Sequence, residues 1–447
     1  MTQAMSEKMR VALCGMTLRE NSHDDEHYPI AIADLKAYSE QFALIKERVD
    51  IRLRATSVSD FNLMEECAQI IDLQPQIVGV SCYIWNVDFY SELLRELRKT
   101  LKNSLFIAGG PHVHPGILRD IPELDIAVIG EGEATFHDLI SRLVKGEPVD
   151  DLKGAAFREG SKIRINQPRP PLENLCDIPS PYLAGILKPK RVMQIEYSRG
   201  CAYNCSFCVN AGQQLRFFPI ERIESEIAYC AKNNLKVAFF IGSYLNHKDF
   251  GVQVLKMIKR HIDCGEKIDI TGSVFIDSNQ FDEDFYNLLN DIVSKKQDII
   301  LTSGFQCCHT ETRNINKCFN SIENIRKMVS GRPFSTMVQC ILGLPGDNTL
   351  RSAATIAAMA DCEPDRIQCL PLIRLPNTRL FIDQYDDSKP EDPFPAKQLS
   401  TTLSEKDDLR TTCLMAESFL LEYHAAESLT DSKQLLKKHG INLQSYK

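Results

Sequence analysis

The stretch EYSRGCAYNCSFCVNAG, residues 196–212, puts Cys201, Cys205 and Cys208 on one short loop directly behind the apolar run VMQI. The spacing is C-x3-C-x2-C. A structural zinc site closes with four ligands, commonly as two pairs, and no fourth Cys or His follows within a few residues. Bacterial ferredoxins use a tighter C-x2-C-x2-C run. Three thiolates on one loop can hold three irons of a 4Fe-4S cluster and leave the fourth iron open to a small chelating ligand. A zinc ion with a distant fourth ligand also satisfies the spacing.

Downstream of the loop, apolar strand-like runs alternate with helical segments. VAFFIG, IDITGSV, IILTSGF, TMVQCILGLPG and RIQCLPLIRLP follow VMQIEYSRG, with helices such as RIESEIAYCAKNN between them. Six strands in alternation predict a partial α/β barrel over residues 193–385, with its site at the carboxyl ends of the strands. Residues 386–447 are predicted helical from SEKDDLRTTCLMAESFLLEYHAAESL.

Upstream, residues 1–145 show the same alternation. RVALCGM, IRLRA, QIVGVSCY, SLFIAGG and IAVIG read as strands, and PIAIADLKAYSEQFALIKERV, FNLMEECAQIIDL, DFYSELLRELRKTL and ATFHDLISRLVKG as helices. This pattern predicts a doubly wound, Rossmann-like parallel sheet covered on both faces. Residues 146–192 are Pro-rich and read as a linker, with a small hairpin in GAAFREGSKIRIN. A chain of 447 residues exceeds one core, since domains run roughly 100–200 residues.

Apolar content of 43% and charge of 25% are those of a soluble globular protein, and the net charge of −8 argues against nucleic acid or an anionic membrane as partner. The N-terminus has no long apolar h-region, and no apolar run is long enough to span a bilayer. Sixteen cysteines without a secretion signal suggest a reducing, cytoplasmic setting, where clustered Cys means metal or catalysis.

The trio Cys201, Cys205 and Cys208, with Phe207 before the last, resembles the radical S-adenosylmethionine (SAM) enzymes. Three later pieces fall in that family's order: GFQC at 304–307, ILGLPGD at 341–347 and LIRLPNT at 372–378, where Asn377 stands in place of a glycine. The resemblance implies a 4Fe-4S cluster on the three cysteines and SAM chelating the open iron. It also implies SAM contacts from Phe207, Gln306, Gly343, Pro345 and Gly346. The second strand ends in Gly242 and Ser243 where the family often has an acidic residue. Lys317, or alternatively Arg313, stands nearest the family's carboxylate-binding arginine.

The first domain resembles the cobalamin-binding type that precedes the radical SAM core in one large subfamily. The segments are SCYIWN, GGPHVHPG and DIAVIGEGEATFHDLI, with Gly109, Gly110, Gly130 and Gly132 suited to close backbone approach to a large ligand. Asp25 and His27 fall short of the D-x-H-x-x-G cobalt-ligand motif because Ile30 replaces glycine, and His112 and His114 read as turn residues. Trp85, the only tryptophan, is either an apolar plate beside a corrin or core filler.

The resemblance implies an enzyme that forms a 5′-deoxyadenosyl radical and methylates an unactivated carbon of a small molecule, with cobalamin carrying the methyl group. An electron donor such as flavodoxin or ferredoxin would supply the cluster, and the first sheet's ligand end would face the barrel mouth. The alternatives are a non-methylating rearrangement, cyclisation or oxidation on the same scaffold, and an iron–sulfur sensing protein without turnover. Cys307 and Cys308 read chiefly as small apolar filler. Cys14, Cys67, Cys82, Cys230, Cys264, Cys318, Cys340, Cys362, Cys369 and Cys413 read as buried small residues.

Overall fold

A computed structural model describes residues 7–17, 29–160, 162–239, 248–279, 282–293, 299–318, 320–373, 375–382 and 415–417. The chain divides into two compact units, one running to Val192 and one beginning at Met193.

The first unit is built on a seven-stranded sheet. Its strands are β1 (Met9–Thr17), β2 (Val49–Ser57), β3 (Ile77–Ser81), β4 (Leu105–Gly109), β5 (Ile126–Val128), β6 (Ala155–Glu159) and β7 (Lys162–Ile165). They lie in the order β2-β1-β3-β4-β5-β6-β7. The first five are parallel, which is the doubly wound arrangement the sequence predicts. Every residue of β3 is buried, as a parallel strand covered on both faces requires.

Successive side chains feed opposite cores. Ala12 and Cys14 join Val78, Val80 and Phe106 beneath the helices Leu63–Asp72 and Val87–Thr100. Val11 and Leu13 join Ile77, Ile107 and Ile126 beneath Ile30–Glu40 and Glu133–Lys145.

Two local differences from the sequence reading have clear causes. The segment 29–49 forms two helices, Ile30–Glu40 and Ala43–Arg48, because Phe42 adopts an extended conformation between them. The hairpin in GAAFREGSKIRIN is β6–β7, and β6 pairs antiparallel with β5. It therefore completes the first sheet instead of standing alone between domains.

The second unit has β8 (Val192–Ile195), a small antiparallel pair β9 (Ser198–Arg199) and β10 (Arg216–Phe217), then β11 (Lys236–Phe239), β12 (Asp269–Ile270), β13 (Gly272–Phe275), β14 (Ile299–Gln306), β15 (Ser335–Leu342) and β16 (Arg366–Pro371). Two sheets result, β12-β11-β8 and β13-β14-β15-β16, parallel at every pairing described. Between β12 and β13, Thr271 donates its N–H to Val237 O at 3.0 Å and Gly272 turns left-handed at φ +84°. One strand thus serves both sheets, and the six-strand alternation of a partial (β/α)6 barrel is present with its third strand broken.

Gly242, Ser243, Asp25, His27 and Cys413 lie outside the described residues, as does the predicted helical region 386–447 apart from 415–417. Among the described residues no helix is long and apolar enough to cross a membrane.

Candidate functional site

The cysteine loop is the connection between β9 and β10. Gly200, left-handed at φ +85°, lets the chain double back against residues 213–214, and the N–H of Cys201 reaches Gln213 O at 3.1 Å. Gly212 N–H closes on Tyr203 O at 2.9 Å, and Cys208 N–H on Cys205 O at 3.2 Å. The Tyr203 hydroxyl donates to Asp277, a buried carboxylate just beyond β13. Cys201 and Cys205 are buried and Cys208 is partly so, and none of the three is in a disulfide.

Burial is the main electrostatic fact about these thiols. It raises Cys201 and Cys208, and it pushes Cys205 up to about 12. The thiols are also close enough to raise one another: Cys208 acts on Cys201, and Cys318, Cys208 and Cys201 act on Cys205. Each is a neutral thiol at pH 7, so a bound cation must displace their protons. Among the described residues no three His, Cys, Asp or Glu side chains are gathered about one ion position. The donor set, three free thiols on one loop, two of them buried and one partly so, fits a 4Fe-4S cluster, which takes one thiolate at each of three corners.

The loop is anchored to the helical segments that follow β14 and β16. Ser206 N–H bonds to Asn316 O at 3.1 Å, and Leu380 N–H to Ser206 O at 3.0 Å. Cys205 S–H points to Lys317 O at 3.5 Å. Phe207 packs on an apolar cluster of Cys307, Leu344, Leu372 and Leu380, so it joins the loop to the Gly343–Gly346 turn. That turn uses left-handed glycines at both ends, Gly343 at φ +80° and Gly346 at φ +82°. Asp347 beyond it is buried, accepting from Ser352 Oγ at 2.7 Å and Asn348 N–H at 3.0 Å.

Gln306 ends β14 at a bulge, in the left-handed region at φ +69°. That conformation is costly for a residue with a Cβ and is characteristic of functional positions. Its amide folds back over Gly304, where a Cβ would overlap Gln306 Nε2. The Gln306 Oε1 is buried and has no hydrogen-bond partner. On the same level, Gly304 is in register with Gln339 of β15, which is in register with Gln368 of β16, and Gln339 Nε2 donates to Gln368 Oε1 at 2.5 Å. Residues 338 and 340 on either side of Gln339 are fully buried, while Gln339 and Gln368 are partly open. Three amides therefore line adjacent strands, and the unsatisfied Gln306 oxygen calls for a donor from a bound molecule.

The candidate carboxylate-binding cations are placed differently. Arg313 is neither solvated nor free: its guanidinium donates to Cys307 O at 2.9 Å and to Asn320 O. Lys317 is the left-handed residue closing the helix Thr310–Asn316, and its side chain is exposed. Cys307 is buried with its Sγ 4.0 Å from Cys318 Sγ, and Cys308 N–H bonds to Thr355 Oγ1 at 3.1 Å. Cys264, expected buried, is exposed; it follows the helix Lys248–Asp263, where its side chain has left the packed face.

Asn377 takes the left-handed conformation, φ +65°, that the absent glycine would have supplied. Asn tolerates this region better than other L residues. Asn377→Gly is expected to leave stability within about 1 kcal/mol. Asn377→Ala should cost roughly 1–2 kcal/mol, read from urea unfolding midpoints of the two variants.

In the first unit, the strand ends carry the other candidate surface. Trp85 is 37% exposed and stacks on Tyr83 with ring centroids 4.4 Å apart, so it is a surface plate and not core. Asn86 fixes the loop below it, accepting from Tyr83 N–H at 2.7 Å and donating to Ser81 O at 3.0 Å. Gly110, at φ +108°, is explained by a neighbouring loop: a Cβ would lie 2.7 Å from Cys82 O. Gly130 has φ +85° with nothing within 4 Å of a Cβ position, and Gly109 has only Val128, at 3.9 Å. Gly132 begins the helix Glu133–Lys145.

His112 and His114 are buried, and burial lowers both, His114 to about 3. His114 Nδ1 accepts from Gly116 N–H at 3.1 Å, a turn role. The open glycines and the ring stack fit a broad, flat, largely apolar ligand such as a corrin.

Sequence reading missed Asn316, Ser206 and the Gln339–Gln368 pair. Single Asn, Ser and Gln residues carry no local pattern, and only the glycine at 304 hinted that something folds over that strand.

The chain is similar to several known proteins. Residues 23–140 match the B12 binding domain family. The chain is 29% identical over 228 residues to the cobalamin-dependent radical SAM methyltransferase TokK of Streptomyces tokunonensis. It is 30% identical over 228 residues to the 2-(S-pantetheinyl)-carbapenam-3-carboxylate methyltransferase of Streptantibioticus cattleyicolor. Each alignment covers 47% of this chain and 33% of the relative, so the chain matches about a third of those proteins' length. Among solved structures, the radical SAM methyltransferase TsrM from Kitasatospora setae, with cobalamin and a 4Fe-4S cluster bound, superposes with a TM-score of 0.62. The match is at 16% identity, over 84% of this chain and 74% of that one. The cobalamin-dependent SAM radical enzyme OxsB, with aqua-cobalamin bound, gives 0.60 at 16% identity over 92% and 62%. These last two are likenesses of fold.

Proposed function

We propose that this chain, in which a B12-binding domain precedes a barrel of the radical SAM fold, is a cobalamin-dependent radical SAM methyltransferase acting on a small molecule. The observation that carries the proposal is the presence, in one unit, of three thiols free of disulfides, two buried and one partly so, with the unpartnered Gln306 oxygen and the Gly343–Gly346 turn. Cys201, Cys205 and Cys208 would hold the cluster. Gln306 would accept a hydrogen bond from SAM, and the turn would bring backbone close to it. Trp85 and the open glycines at 109 and 130 would bear on the corrin. With these groups bound, the chain would gain a low-potential electron source, a radical initiator and a methyl carrier.

The chain's own contribution is to bind, orient and exclude water. Phe207, Leu344 and Leu372 close the apolar side of the cysteine loop. The amides of Gln339 and Gln368 offer neutral hydrogen bonding where a charged wall would be expected for a phosphate. The electron donor would be a small reductant of the flavodoxin or ferredoxin class, in a reducing cytoplasm.

Anaerobic turnover with methyl-labelled SAM and cobalamin tests the proposal. The expected result is SAM-dependent 5′-deoxyadenosine release together with label in a small-molecule product. 5′-Deoxyadenosine without methyl transfer would move the reading to a non-methylating radical enzyme, and release of neither would overturn it.

A further inference from the structure

We infer that Asn316 is the junction of a brace that fixes the cysteine loop against the Gly343–Gly346 turn, and is thereby a positioning residue for SAM; the inference rests on the proposal that cluster and SAM meet here. Asn316 is completely buried at the end of the helix Thr310–Asn316. Its side chain serves three segments at once. Oδ1 accepts from Ser206 Oγ at 2.8 Å, on the cysteine loop. Nδ2 donates to Pro345 O at 2.8 Å, in the turn, and to Thr312 O at 2.8 Å, in its own helix.

The backbone adds to the loop side. Asn316 O accepts from Ser206 N–H at 3.1 Å, a bond that does not depend on the Cys205 proton. One turn earlier on the same helix face, Thr312 Oγ1 donates to Gly346 O at 2.9 Å. The helix therefore grips the turn at two successive carbonyls with one face, and the cluster ligand loop with its end.

Helix capping alone does not explain this residue. Lys317, not Asn316, takes the left-handed closing conformation, so the Asn316 amide is free of that task. An amide is also the side chain the position demands: two donors for two carbonyls and an acceptor for one hydroxyl. Aspartate could keep the Ser206 bond but would have no donor for Pro345 O. The arrangement sets the distance between a cluster corner and the backbone beside bound SAM. Partners that orient ligand-holding segments typically cost about 10–100-fold in affinity or activity when removed.

The test uses full-length protein reconstituted with iron and sulfide under anaerobic conditions, and SAM as the probe. Asn316→Asp keeps the loop side and severs the turn side. It is expected to retain wild-type iron and sulfide content, to bind SAM about 10–100-fold more weakly, and to lose the SAM-induced change in the reduced cluster's EPR spectrum. Thr312→Val removes the second grip at nearly constant shape, and Gly346 O keeps Arg351 as a partner. It should weaken SAM in the same direction, and it carries the test if Asn316→Asp does not fold. Wild-type SAM affinity and an unchanged EPR response in the folded variants would overturn the brace. A wild-type cluster that itself ignores SAM would overturn the functional proposal and the brace with it.

Discussion

Cys205→Ala protein, purified and reconstituted without oxygen, is expected to lose its full complement of iron and sulfide, and its 5′-deoxyadenosine release should fall to that of protein never given iron. Cys205 is the most constrained of the three thiols: it is buried, pushed up to about 12, and aimed at Lys317 O. No other thiol can take its place without moving the loop, because Ser206 beside it is held at both its N–H and its carbonyl. Cys318 lies near enough to raise Cys205, yet it sits on a separate segment with its Sγ 4.0 Å from Cys307. Cys264→Ala, at an exposed position, is the matched control and should behave as wild type. Metal analysis, visible absorbance and product chromatography read the result. A Cys205→Ala protein with wild-type iron and sulfide would remove the cysteine loop from consideration as the cluster site.

Gly200→Ala is expected to have the next largest effect, although it touches no ligand atom. The position is left-handed, which costs a residue with a Cβ roughly 1–3 kcal/mol. The added Cβ would also overlap the Gln214 carbonyl oxygen and stand 2.7 Å from its carbon. Those are backbone atoms with no rotamer to escape into, so the loop must open where Cys201 N–H meets Gln213 O. Iron titration should show about tenfold or greater loss of cluster affinity, since each 1.4 kcal/mol is a factor of ten. Circular dichroism should remain near wild type. Gly212→Ala carries a left-handed cost too, at φ +68°, but its Cβ meets only the Asn204 side chain, at 2.7 Å, which can turn away, so its effect should be milder. Equal iron affinity in Gly200→Ala and wild type would show that the loop does not need this closure.

The alternation of strands and helices was readable because each strand is a short apolar run bounded by turn residues, and the doubly wound order follows from it. What was not readable depended on partners distant in the chain. The GAAFREGSKIRIN hairpin was visible as a hairpin, but its pairing with β5 has no local signal. The broken third strand carried one: glycine inside IDITGSV, which marks a bulge or bend in a strand. Helical periodicity ran straight through Phe42, whose ring instead lies 40% exposed and stacked on His137 at 4.0 Å.

At the candidate site, cysteine spacing is a local property and could be read directly. Gly110 shows the opposite case. Its sequence setting suggested ligand approach, and the structure adds a second demand on the same glycine, the close seating of a loop on Cys82. Asn316 was invisible because its three bonds reach residues 206, 312 and 345, and no window of sequence contains both ends.

The interruption at Thr271–Gly272 makes the barrel wall a pair of panels joined along a seam. One panel, β8, β11 and β12, carries the stem of the cysteine loop; the other, β13 to β16, carries the glutamines and the glycine turn. No heavy atom stands within 4 Å of where a Cβ would be on Gly272. The seam is bridged away from the ladders: Tyr203, on the loop carried by the first panel, donates to Asp277 beyond β13, and Ser206 bonds to Asn316 behind β14, so loop contacts and not strand pairing hold the two panels at one spacing.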